Sequence, residues 1–97
     1  MGLEVFVARP GATCPLDALV ATLAARGVVA TVMMVDNQLC MPGAPIRADW
    51  SDARLRTAAG TVTLRRRPDG VALLVFGNAD PALQEAQRQI AAALASD

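Results

Sequence analysis

From Leu3 to Ala8 the chain alternates and is rich in branched and aromatic residues, a period-two pattern that predicts a strand. Pro10-Gly11 ends it. Leu16, Leu19, Val20 and Leu23 then recur at the spacing of one helix face. For this helix Thr13 or Cys14 is the expected cap, Pro15 stands in the first turn and Asp17 complements the positive end of the dipole. Arg26-Gly27 closes it with a cation and a residue that accepts left-handed backbone. Val28 to Val35 is almost continuously apolar, which predicts a central strand covered on both faces. Residues 36–49, interrupted by Asn37, Pro42, Gly43 and Pro45, read as one long loop.

Past that loop the period of two returns. Ala53, Leu55 and Thr57 alternate with Arg54 and Arg56. Beyond Ala58-Ala59-Gly60, Val62 and Leu64 alternate with Thr61, Thr63 and Arg65, so the pair reads as a β-hairpin. Pro68-Asp69-Gly70 is a turn signal leading into a strand from Val71 to Phe76. Asp80 caps a last helix, with Pro81 in its first position. Leu83, Ala86, Ile90 and Leu94 form the buried stripe, and Gln84, Glu85, Arg88 and Gln89 lie largely outside it.

The predicted order is β-α-β-β-β-β-α over a single domain, residues 1–97. Each helix has one apolar stripe and the hairpin has one polar face. The expected fold is therefore a two-layer α+β domain, an antiparallel sheet of about five strands with two helices on one face. This order resembles the connectivity of the TATA-binding-protein-like fold, a likeness of shape that implies no function. The opening also resembles a glutaredoxin: a strand, Pro10-Gly11, Cys14-Pro15 at a helix start, a second strand, and Gly60-Thr61-Val62-Thr63 where that family has Thr-Val-Pro. The second cysteine of C-x-x-C falls at Asp17, however, and Thr63 replaces the proline. A thioredoxin-like fold is the alternative, and it requires a helix over residues 51–59.

Composition narrows the chemistry. There is no histidine, lysine or tyrosine among the 97 residues, so the usual neutral-pH base, the P-loop cation and a Schiff-base amine are all missing. No Walker loop, G-x-G-x-x-G or zinc spacing is present, and an enzyme is not expected. The net charge is zero, which gives no general pull toward nucleic acid or anionic lipid and little repulsion against a homo-oligomer. No apolar run reaches the ~20 residues of a membrane span, and an acid sits where a signal peptide needs basic residues. A cytoplasmic protein is expected, with Cys14 and Cys40 as reduced thiols.

Three groups of residues carry candidate chemistry. Cys14, at a helix start with Arg9 near in sequence, is the candidate reactive thiol, yet no resolving cysteine or histidine stands at working distance. Met33, Met34, Cys40 and Met41 are soft donors of the kind that suit Cu(I). They lack M-x-x-M or C-x-x-C spacing, and Met33 and Met34 fit a core, so no metal or cofactor is expected. Finally, residues 47–67 hold Arg47, Arg54, Arg56, Arg65, Arg66 and Arg67 against only Asp49 and Asp52, a segment of charge +4 in a neutral chain.

In the hairpin, Arg54, Arg56 and Arg65 fall on the face opposite the apolar set. Trp50 either closes one end of the core or, if exposed, anchors a partner beside them. The expected binding residues are Arg54, Arg56, Arg65, Arg66, Arg67 and Trp50. The expected function is a small interaction module that contacts an unidentified protein through its arginine-bearing sheet face and the 36–50 loop. A thiol protein using Cys14 and a nucleic-acid-binding module are the alternatives. Against nucleic acid stands the lack of aromatic residues interleaved with the arginines.

Overall fold

The structure, a computed structural model, describes residues 3–8, 15–41, 46, 49–75 and 80–95. Six strands and two helices follow one another as β1 (Leu3–Ala8), α1 (Leu16–Ala25), β2 (Ala30–Val35), β3 (Gln38–Leu39), β4 (Asp52–Thr57), β5 (Gly60–Arg67), β6 (Gly70–Val75) and α2 (Pro81–Ala95). The strands form one sheet in the order β1-β6-β5-β4-β2-β3, antiparallel at every pair. This is the expected α+β class with one strand more than expected.

Period-two alternation decides what is buried. Val5 and Val7 of β1 register with Leu73 and Val71 of β6. Leu64 registers with Leu73 and Ala53, and Leu55 with Val62 and Val32. These residues share one face, and the apolar stripes of both helices close over it. Leu16, Leu19 and Leu23 of α1 join Ile90, Ala93 and Leu94 of α2 in the same core. Helix α1 packs on α2 and β2, while α2 packs on β1, β5 and β6. Fully burying a leucine-sized side chain stabilises by about 1.5–3 kcal/mol, so these stripes hold the two layers together.

Local signals worked where they had a mechanism. At the end of α1 the Gly27 N–H donates to the Ala24 carbonyl and the Val28 N–H to the Leu23 carbonyl. Gly27 has φ +81°, as the Schellman pattern requires. At the start of α2 an Asp80 carboxylate oxygen accepts from the Leu83 N–H at 2.9 Å. One buried polar side chain was not anticipated: Gln87, on the covered side of α2, donates from its amide nitrogen to the Leu73 carbonyl at 2.9 Å.

Several expectations need correction. The N-cap of α1 is Pro15, in extended backbone, while Thr13 and Cys14 lie outside the described residues. Strand β6 runs from Gly70 to Val75, and Phe76 lies outside the described residues. Strand β2 is not a central strand covered on both faces. It lies next to the sheet edge, and only Ala30 within it is buried. Val28 and Val29 belong to the connection before β2. Met33 is the extra residue of a bulge, since Val32 registers with Leu55 and Met34 with Arg54. Met33 and Met34 are half-buried at this margin and neither is in the core.

The 36–49 stretch is also not a single loop. Asp36 and Asn37 have φ of 50° and 65°, the left-handed pair of a type I′ turn, and the chain doubles back to form β3. The thioredoxin-like alternative fails at β4, which is a strand where that fold needs a helix.

Asp36 also pins the start of β4. One carboxylate oxygen accepts from the Ser51 and Asp52 N–H groups, each at 2.9 Å, and the Asp36 N–H donates to the Asp52 carbonyl at 2.7 Å. Asp36→Gly keeps the left-handed backbone but removes the acceptor, and should lower stability by about 1–2 kcal/mol in urea denaturation. Asp36→Asn, which retains an acceptor oxygen, should lose less than half of that. Equal losses in the two variants would mean that the oxygen does not hold β4.

Candidate functional site

The sheet face turned away from the helices has no element over it among the described residues. Three registered rows cross it. One runs Leu39, Met34, Arg54, Thr63, Leu74, Glu4. Beside it on one side runs Asp52, Arg65, Ala72, Phe6, and on the other Thr31, Arg56, Thr61. Arg67 follows on β5, in register with Gly70.

Although no described element lies over this face, its middle is not exposed. Ala72 is 0% exposed and Thr63 4%. Phe6 (42% exposed) and Leu39 (75%) are the large apolar side chains left open on this face.

The arginines divide into two kinds. Arg65 Nε meets Asp52 Oδ2 at 3.1 Å, and Arg67 Nη2 meets Glu4 Oε1 at 3.2 Å, so both carboxylates of the face are engaged. Arg54 lies with Nη1 3.8 Å from the Met34 sulfur. Among the described residues, neither Arg54 nor Arg56 has a carboxylate within ion-pair distance. The described face therefore carries four arginines against two acids.

Two expected binding residues fall elsewhere. Arg66 belongs to the opposite phase of β5 and is half-buried on the helix side. Its guanidinium carbon lies 5.6 Å from the Trp50 ring centroid, and its Nη1 donates to the Trp50 carbonyl at 3.3 Å. Trp50 is 1% exposed within the core, so it closes the core and is not an exposed anchor. Arg47, Arg9 and Cys14 lie outside the described residues. Cys40 is a half-buried free thiol whose Sγ lies 3.9 Å from the Met41 carbonyl oxygen.

Sequence reasoning missed Glu4, Asp52, Phe6 and Leu39 as members of this face. The alternation of Leu3–Ala8 held the signal for two of them, since Glu4 and Phe6 take the phase opposite Val5 and Val7.

A concavity of about 600 Å³ opens where the α1–β2 connection, the β4–β5 turn and the first half of α2 meet, lined by Val28, Val29, Ala58, Ala59, Ala82 and Ala86 among others, with Arg56 also on its wall. Glu85 borders it, but the Gln89 amide and the Arg88 guanidinium both bind that carboxylate and hold its pKa below the usual range. The concavity is thus mostly apolar, and Glu85 at its border stays ionised and paired with Arg88.

Among the described residues no three Cys, Asp or Glu side chains gather as a metal site would need, and no helix is long and apolar enough to cross a membrane. No protein-family model matches this sequence, and no curated protein or solved structure matches it.

Proposed function

We propose that this chain is a small protein-interaction module whose sheet face opposite the helices, with the β2–β3 hairpin beside it, receives an acidic segment of a partner protein. One observation carries the reading. Arg54 and Arg56 stand on that face without a carboxylate among the described residues, while the acids nearby are already held by Arg65 and Arg67. A guanidinium offers planar, bidentate recognition of a carboxylate, and it stays charged at any physiological pH. Leu39, exposed in the same row as Arg54, supplies an apolar contact at the rim.

The test is charge reversal, Arg54→Glu with Arg56→Glu, in affinity capture from native extract with and without nuclease. Both side chains are exposed, so the variant should keep its far-UV circular dichroism and melting temperature. The expected result is a nuclease-resistant partner that the double variant no longer retains and that raised salt releases from the native protein. Capture that vanishes with nuclease would move the face to nucleic acid. Capture equal in both proteins would take these arginines out of the interface, and unfolding of the variant would make them structural.

A further inference from the structure

Resting on that reading, we infer that the segment received by this face is extended and carries two carboxylates on alternate residues, seated along β4. Arg54 and Arg56 are two residues apart on one strand and project from the same face. Two residues of strand advance by about 6.6–6.8 Å. An extended segment lying along β4 presents every second side chain at the same pitch, so one register places a carboxylate over each guanidinium.

The helical occupant is disfavoured by its own charge. Carboxylates three or four residues apart repel on a helix, and acidic segments lacking apolar residues stay disordered in solution rather than helical. The next positions of β4 bound the pattern. Asp52 occupies the alternate position beyond Arg54, so a third carboxylate placed there meets an acid rather than an arginine. A second copy of this face is also disfavoured, because each described face carries four arginines against two acids and the two would repel.

The experiment compares peptide isomers of one composition. Each is a short serine- and glycine-rich peptide with two aspartates, placed at i and i+2 in one isomer and at i and i+1 in the other. Binding to the 97-residue protein is followed by nuclear magnetic resonance at low salt, through the side-chain Nε–H signals of Arg54 and Arg56. The alternate isomer should bind about fivefold more tightly, the scale that one added exposed ion pair supplies. That difference should disappear in Arg56→Gln, and a third aspartate reaching Asp52 should add no affinity.

Equal affinity of the isomers would overturn the spacing while leaving an acid-binding face in place. If neither peptide binds but the charge-reversed variant still loses its captured partner, the acidic extended class is wrong and the interaction face stands. If neither peptide binds and capture is insensitive to the variant, both readings fall. Tighter binding of a single-stranded oligothymidine through the same two signals would replace the protein occupant with nucleic acid.

Discussion

Replacing Trp50 with alanine should destabilise the domain by about 3–5 kcal/mol, a large part of the 5–15 kcal/mol that holds a typical domain together. Trp50 is the only tryptophan, it is 1% exposed, and it stands two residues before the start of the strand that carries Arg54 and Arg56. Its removal leaves a cavity among core side chains and takes away the ring under the Arg66 guanidinium. Arg66→Ala isolates the second part and should cost about 1 kcal/mol, the worth of a partly buried cation–π contact. Trp50→Phe keeps much of the apolar volume and should fall between the two. Guanidinium denaturation followed by far-UV circular dichroism reads all three variants, since the alanine variant has no tryptophan to report. A Trp50→Ala midpoint within error of the native protein would mean that Trp50 does not close the core.

The place of Trp50 also marks where the sequence stops being legible. Periodicity identifies a buried phase only where it runs for several residues. It therefore placed Ala53, Leu55, Val62 and Leu64 on one face and Arg54, Arg56 and Arg65 on the other, as the registers bear out. Trp50 follows a stretch broken by Pro42, Gly43 and Pro45, where no period reaches it.

Arg66 fails for the opposite reason. Three consecutive arginines in a strand cannot share a face, so a basic surface containing Arg65, Arg66 and Arg67 together contradicts the alternation that defines the strand. The β2–β3 hairpin was hidden because Asp36-Asn37 lacks the glycine that usually announces a type I′ turn. The bulge at Met33 then shifted the remaining phase of β2, so a nearly continuous apolar run came to lie half-covered at the sheet margin. The site was legible as far as Arg65, Arg54 and Arg56 on the polar face of the hairpin, but not that Arg54 and Arg56 stand apart from the acids. Their freedom from the neighbouring acids depends on how Asp52 and Glu4 pair across strands, which no local pattern states.

Gly70→Ala should cost about 3 kcal/mol, the upper end of what overpacking does, and the loss should be concentrated in β1. A methyl group at Gly70 would fall well inside van der Waals distance of the Val7 carbonyl oxygen. It would also stand 2.7 Å from the Phe6 ring and 3.0 Å from the Ala8 Cα. The ring can swing away, because Phe6 is 42% exposed, but the carbonyl belongs to the edge strand itself. Relief therefore requires β1 to move off β6, its only neighbour in the sheet among the described residues.

The double variant Phe6→Ala with Gly70→Ala separates the two obstacles. If the backbone decides, it should be no more stable than Gly70→Ala alone, and the amides of Val5 and Val7 should exchange with deuterium faster in both. If the ring decides, the double variant should recover to the stability of Phe6→Ala alone, with β1 as protected as in the native protein. That outcome would make Gly70 a socket for Phe6. The first would make it the residue that lets β1 dock, and with β1 comes Glu4, the carboxylate that engages Arg67.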